Sequence, residues 1–328
     1  MADLTGLLIA LSILGLAIII DAIIGDPPPP PWKSLYYKLH PTVWMGNVTT
    51  KLKPVFKNSN PKIEKINGIL LALALIAIFT IPTYVGLKLL VTYLNIIVYV
   101  LVAALILKLT ICIKLETDWC KAAAKAIESG DLNEARRYAH FSRRDNKNLT
   151  GSLIVSSVIE SVTENLTDFR LSPIIFYGFF GVPGAVAFRA INTLDGMVGF
   201  RDPENINIGW FSAKLDTVVN YVPSRLTAIL IVVAAAILGE DYKNAWKIAK
   251  RDQTKVPSLN HGWQMAAIAG ALKVQLEKPG HYIIGDPEEE LTPDKILRTL
   301  KIRNVIMILC IVLMVPVFLV MTAYWFPI

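Results

Sequence analysis

The sequence predicts an all-α integral membrane protein: a polytopic helical bundle of four to five hydrophobic spans, some short or re-entrant, with amphipathic helices on the cytoplasmic side. Three observations carry that expectation. Of 328 residues, 54% are hydrophobic and 18% are charged, where a soluble domain holds about a quarter charged. The mean hydropathy is +0.49. Several apolar runs reach the length of about 20 residues that a bilayer crossing requires.

Taken in order, residues 4–24 form one run of crossing length. No Lys or Arg precedes it and no small-residue cleavage site follows, so it is expected to stay as a first span. Pro27 to Pro31 forbid further helix. A basic stretch follows, with Lys33, Lys38, Lys51, Lys53, Lys57, Lys62 and Lys65. Residues 68–86 predict a second span bent near Pro82, and 89–113 a third after a very short turn. In 114–170, Glu116 to Ser129 predicts an amphipathic helix ended by Gly130, with Asp131 as the next N-cap. Residues 148–167 keep helical periodicity but place Ser, Glu and Asn on the inner stripe.

Two apolar runs, 171–188 and 226–238, are marginal for a full crossing. The first is interrupted by Pro173, Gly178, Gly181, Pro183 and Gly184. Such interruptions at membrane depth line protein-buried cavities, which favours re-entrance or shallow crossing. Residues 304–326 are the last span, and 1–328 reads as a single membrane domain. Lys and Arg crowd into 33–65, 114–170 and 240–303, which places all three in the cytoplasm of a multi-pass cell-membrane protein.

The net charge of +7 does not point to nucleic acid, because the basic residues flank apolar runs, where they set topology and meet anionic lipid. Cys112, Cys120 and Cys310 show no metal spacing and are expected to be free thiols. There is no GxxxxGK[ST], GxSxG or HExxH string, nor a Rossmann glycine fingerprint. A phosphate compound would therefore bind through Mg²⁺ on carboxylates, with Arg and Lys assisting.

The candidate chemistry lies in polar strings between the spans. Glu160, Glu164 and Asp168 step by four, beside Asn165, and so share one helical face. Their mutual repulsion calls for a positive partner: a divalent metal, or arginines such as Arg143, Arg144 and Arg189. Asn192 and Asp195 are an i, i+3 pair ahead of Arg201, with Gly196 and Gly199 permitting close backbone approach. Lys214, Asp216, Asn220 and Arg225 form a third group, and Asn260, His261 and Trp263 a fourth. A lone histidine such as His261 is more often a structural hydrogen-bonder than a ligand. Asp21 and Asp26 bracket the end of the first span, where each also reads as a helix-end residue.

The strings GDPPPPP…HPTVWMG, RRD, VIESVTENLTD, RAINTLDGMVGFRD, GWFSAKLDTVVNYVPSRLTA and LNHGWQMAAIAGALKVQL run in order from about Asp21 to Gly285. Together they resemble the adenosylcobinamide-phosphate synthase family of cobalamin biosynthesis. The chain departs from the family at Phe169 (usually Gly), at Thr217 (often Asp) and in NHGWQM (usually NAGWPE). The resemblance implies a membrane ligase that uses ATP and Mg²⁺ to couple aminopropanol phosphate to adenosylcobyric acid through an amide. It also carries the family pattern onto Asp26, His40, Arg144 and Asp145, beside the residues already named.

On that basis Glu160, Glu164, Asp168 and Asp195 are expected to hold Mg²⁺, and Arg144, Arg201 and Arg225 to neutralise phosphate, with Lys214 assisting. Asn165, Asn192 and Asn220 would orient the amide or the corrin side chains, and Glu164 or Asp216 would deprotonate the amine. Asn260 and Trp263 complete the expected substrate contacts. Expected partners are the corrinoid, the amino-alcohol phosphate, membrane lipid and other late cobalamin-biosynthesis enzymes. The competing class is an ion-coupled transporter, since acids among Gly/Pro-broken helices also mark transport sites.

Overall fold

The computed structural model describes residues 4–28, 35–139 and 147–325. In chain order the helices are α1 (Leu4–Ile24), α2 (Leu35–Leu39), α3 (Pro41–Phe56), α4 (Pro61–Tyr93), α5 (Ile96–Lys108), α6 (Lys114–Glu128), α7 (Leu132–Tyr138) and α8 (Gly151–Leu166). A π-helical turn, Thr167–Leu171, leads into α9 (Ser172–Val198). Then come α10 (Trp210–Val219), α11 (Tyr221–Leu238), α12 (Tyr242–Asp252), α13 (His261–Leu272) and α14 (Pro293–Trp325). Among the described residues the only sheet is an antiparallel hairpin of β1 (Leu276–Lys278) and β2 (Tyr282–Ile284), pairing Leu276 with Ile284 and Lys278 with Tyr282.

Five stretches among the described residues are long and apolar enough to cross a membrane: Leu4–Ile24, Pro61–Tyr93, Gly151–Val198, Tyr221–Leu238 and Pro293–Tyr324. The chain is an all-α, multi-pass membrane protein. Its third apolar region differs from the sequence expectation. Helix α4 runs through Gly86 to Tyr93, because one glycine without a following proline does not stop a helix. The turn falls instead at Leu94 and Asn95, whose side chain accepts from the amides of Ile97 and Val98 at 3.0 Å each and so starts α5. At 13 residues, α5 is shorter than a crossing. The glycine- and proline-interrupted run is part of a 48-residue apolar stretch, with its backbone broken at Gly181, φ 67°.

The chain divides into two compact units. The first comprises residues 1–114, 172–219 and 313–328, and its helices pack mainly as α1 on α5 and as α3, α4 and α10 on α9. Ala72 and Leu75 of α4 meet Leu194 and Val198 of α9, flanked by Val48, Phe79, Met197 and Phe211. Gly68 lets α4 approach the chain ahead of α10, since a Cβ there would stand 2.2 Å from the Ile208 carbonyl oxygen. Asp21, fully buried near the end of α1, accepts from the amides of Ile113 and Lys114 at 3.0 and 2.9 Å. That satisfies the first donors of α6, which would otherwise be orphaned.

The second unit comprises 115–171 and 220–312. Helices α11, α12 and α13 pack on one another, and α8 lies against α13 and β1. Gly262 and Gly270 share a face of α13 and admit α12 closely: a Cβ would stand 2.0 Å from the Gln253 oxygen and 2.6 Å from that of Asn244. The end of α12 is fastened to the hairpin's exit by Asp252, which is buried. Its oxygens receive Arg251 Nε and Lys255 Nζ, both at 2.7 Å, and the Gly285 amide at 2.8 Å. Burial pushes this carboxyl up, but Arg251, Lys255 and the Gly285 amide outweigh it and hold the pKa at about 2.

Because the folded value lies below the usual 3.9 or so, the stabilisation is complete above about pH 4 and lost as pH falls towards 2. Melting curves of the detergent-solubilised protein should therefore lose stability across that window. Asp252→Asn should start lower and lose less there; an unchanged pH slope in the variant would discount this carboxylate.

Candidate active site

Three carboxylates on successive helical turns invite a shared role, and α8 with its π turn assigns them two. Glu160 is buried. Ser156 Oγ donates to its Oε1 at 2.6 Å and Tyr282 Oη to its Oε2 at 2.5 Å. Ser156 also accepts from the Glu277 amide at 2.8 Å, so Glu160 and Ser156 tie α8 to the hairpin. Glu164 and Asp168 instead face His261, the first residue of α13. Its Nδ1 lies 3.9 Å from Glu164 Oε1, and its Nε2 lies 3.5 Å from Asp168 Oδ2. Asp168 Oδ1 is buried with no hydrogen-bond partner among the described residues.

The π turn that carries Asp168 has a local cause. The Thr167 amide donates to Glu164 O, three residues back, which leaves the Thr163 carbonyl without its helical partner. Gln264 Nε2 of α13 takes that carbonyl at 3.1 Å, while Thr167 Oγ1 donates to Gln264 Oε1 at 2.6 Å. A side chain inserted into the backbone ladder is a recognised source of such a bulge, and π turns recur at functional sites.

Arg225 stands one turn into α11. Its Nη1 donates to Asn260 Oδ1 at 2.6 Å and Ser224 Oγ at 3.0 Å, and its Nη2 to the Leu259 carbonyl at 3.2 Å. The guanidinium lies 3.7 Å from the Tyr221 ring centroid and 5.8 Å from that of Trp263. Among the described residues, every partner of Arg225 is a neutral oxygen or an aromatic ring, which leaves its charge without a counter-ion. His261 thus meets Glu164 and Asp168, and its chain neighbour Asn260 holds Arg225, so members of three separate sequence clusters fall in one unit.

Other candidates fall elsewhere. Asn165 donates to Glu116 Oε1 at 3.1 Å, on the side of a buried cluster rather than toward His261. There Glu116 Oε2 accepts from both Arg170 Nη2 and Arg303 Nη1, and all three side chains are buried. Nε and Nη1 of Arg170 have no hydrogen-bond partner among the described residues. Sequence reasoning missed this cluster and Tyr282, because their partners are 54, 187 and 122 residues distant in the chain.

Asn192, Asp195 and Asp216 belong to the first unit. Asn192 Nδ2 donates to Asp216 Oδ1 at 3.3 Å, and Arg189 Nη1 donates to Asn192 Oδ1 at 3.3 Å. Gly199 is required where it stands, since a Cβ there would be 1.9 Å from Asp195 Oδ1. Arg201 and Lys214 are exposed, and Asn220 is buried. Asp26 is held by Lys108 and, at 3.3 Å, by His40 Nε2. Burial opposes its charge, yet His40 and Lys108 keep the carboxyl below its ordinary pKa. Arg143, Arg144 and Asp145 lie outside the described residues.

Among the described residues, no three or more His, Cys, Asp or Glu side chains group as ligands of a metal ion. Mg²⁺ does not demand such a cage. It keeps several waters and binds through one or two carboxylates together with substrate phosphates. Glu164 and Asp168, with Asp168 Oδ1 unpartnered, fit that requirement.

Comparison with known proteins gives a consistent result. A family model described as CobD/Cbib protein matches residues 14–323. A protein of Methanothermobacter thermautotrophicus named probable cobalamin biosynthesis protein CobD is 39% identical over 299 residues, covering 91% of this chain and 94% of its own. Cobalamin biosynthesis protein CobD of Dehalococcoides mccartyi is 35% identical over 298 residues, covering 90% and 92%. That of Leptospira interrogans is 33% identical over 299 residues, covering 88% and 91%. No solved structure matches.

Proposed function

The chain belongs to the CobD/CbiB family of cobalamin biosynthesis proteins, and from that premise we propose that it is an ATP- and Mg²⁺-dependent amide-forming ligase. Its substrates are adenosylcobyric acid and an aminopropanol phosphate, and its product is adenosylcobinamide phosphate. The site faces the cytoplasm, where ATP is available, consistent with the Lys and Arg content of the segments that carry it. The observation that supports this reading best is that two carboxylates, Glu164 and Asp168, face His261, whose chain neighbour Asn260 holds Arg225, an arginine with no counter-ion among the described residues.

A carboxylate does not form an amide at neutral pH unless it is activated. Transfer of the terminal phosphoryl group of ATP to the corrin carboxylate gives an acyl phosphate and ADP. The amine then attacks the carbonyl carbon, and phosphate leaves. Phosphoryl transfer depends on positioning and charge neutralisation more than on covalent help from protein. Mg²⁺, when bound, supplies positive charge at the phosphate oxygens.

Glu164 and Asp168 would hold that ion, and Arg225 would receive the phosphate. Asn260 orients Arg225 through the bond at 2.6 Å. Glu160, bound by Ser156 and Tyr282, fixes the α8 face from which Glu164 projects.

Purified full-length protein in detergent tests the proposal by omission. Product should form only when ATP, Mg²⁺, adenosylcobyric acid and aminopropanol phosphate are all present, with ADP released in equal amount. Product formed without ATP would refute the ligase. Uptake of corrinoid into proteoliposomes, with no amide made, would support the transporter class instead.

A further inference from the structure

Beyond the acid pair, the second unit carries a row of rings and cations on its surface. Tyr221 lies under the Arg225 guanidinium at 3.7 Å, and Arg225 lies 5.8 Å from the Trp263 ring. The Trp263 and Trp246 ring centroids are 6.4 Å apart with planes 35° from parallel, and Lys250 Nζ stands 5.5 Å from the Trp246 ring. Trp246 is 38% exposed and Tyr221 49%. An indole of α12, an indole of α13 and a guanidinium of α11 therefore form one continuous shelf.

A fully packed row of this kind would be core. This one is exposed at Trp246 and Tyr221, and a large aromatic surface is costly to leave uncovered. The cations that flank it are Arg225, whose partners among the described residues are neutral, and Lys243, Lys247 and Lys250 on the exposed side of α12, with Asp286 near Lys247. The complementary ligand is planar and anionic. The inner end of the shelf also has a fixed direction. Arg225 is bonded to Asn260, and the next residue, His261, faces Glu164 and Asp168.

We propose that Trp246 and Trp263 are the docking shelf for the purine of a nucleoside triphosphate, whose phosphates run past Arg225 toward Glu164 and Asp168. This rests on the ATP-dependent reading above and adds to it the place where the base sits. Lys250 is long and exposed, and it moves aside for the base to stack on Trp246. A corrin ring is larger than two indoles and carries neutral amides at its rim, so it matches the cationic border less well.

The test is equilibrium dialysis of AMP-PNP with Mg²⁺ against detergent-solubilised wild type, Trp246→Ala and Trp246→Phe, with inorganic triphosphate as a second probe. Stacking on an aromatic side chain is worth about 1–3 kcal/mol per base, so Trp246→Ala should weaken AMP-PNP by about 5- to 160-fold. Trp246→Phe should recover most of that, and triphosphate binding should stay unchanged in both variants. Wild-type binding of AMP-PNP that survives Trp246→Ala overturns this proposal alone. So does a loss confined to cobyric acid, which would give the shelf to the corrin, or an equal loss of AMP-PNP and triphosphate. Absence of nucleotide binding by the wild type overturns both this proposal and the ATP-dependent reading.

Discussion

Glu164→Gln and Asp168→Asn should each lower Mg²⁺-dependent amide synthesis by a hundredfold or more while leaving the melting temperature within a few degrees of wild type. Each change removes one negative charge and keeps the shape. The two carboxylates are the acids that His261 lies between, at 3.9 and 3.5 Å. Losses of about 10²–10³ accompany removal of one preorganised electrostatic group elsewhere, and phosphoryl transfer relies on such groups almost entirely. The measurement is ADP release at saturating corrinoid across a Mg²⁺ titration. A variant whose activity returns at high Mg²⁺ has lost affinity for the ion. One that stays inactive has lost positioning. Full activity in both variants at low Mg²⁺ would remove Glu164 and Asp168 from the site.

Glu160→Gln belongs to a different class, because that carboxylate is engaged by Ser156 and Tyr282. Its loss acts through the hairpin, so stability and activity should fall together.

The largest effect on stability is expected at Glu116. Two guanidiniums, Arg170 and Arg303, converge on this one buried carboxylate. Glu116→Gln would leave both cations buried and unmatched, and removing one partner of a buried pair costs about 3–5 kcal/mol. Arg170→Met is the contrasting change. It leaves Glu116 and Arg303 as a matched pair, and it removes the two nitrogens, Nε and Nη1, that have no acceptor. The cost should then be small, about 1 kcal/mol or less, since apolar replacement of buried charge is often near neutral. Denaturant unfolding in micelles reads both. Equal losses in the two variants would show that the cluster carries no surplus positive charge.

How much of this was legible in the sequence depends on distance along the chain. The apolar runs of α1, α4, α11 and α14 were visible as runs because lipid demands contiguous length. The strings around Glu164, Asn192, Arg225 and Asn260 were visible because helical spacing brings their own members together. The end of α4 was not, since the residue that sets it is Asn95 acting as a cap, and a cap two residues past an apolar run looks like part of the next one.

The division of labour among Glu160, Glu164 and Asp168 was likewise hidden. It depends on Tyr282 and His261, more than 90 residues away, and on a π turn that no periodicity announces. The side chain that faces both Glu164 and Asp168 is a histidine. A lone histidine is more often a structural hydrogen-bonder than a ligand, and no local spacing places His261 beside acids 93 and 97 residues away.

The π turn also has a bearing on how homologous sequences should be aligned. It holds one more residue than an α-helical turn, and each residue of an α-helix advances the face by about 100°. A single deletion between Thr167 and Leu171 would restore an ideal helix and leave Glu164 where it is. It would also rotate Arg170 by about a quarter-turn away from Glu116. A gap placed there to improve local identity would therefore pair residues that point in different directions. Length at this position is a property of the site as much as the identity of its acids.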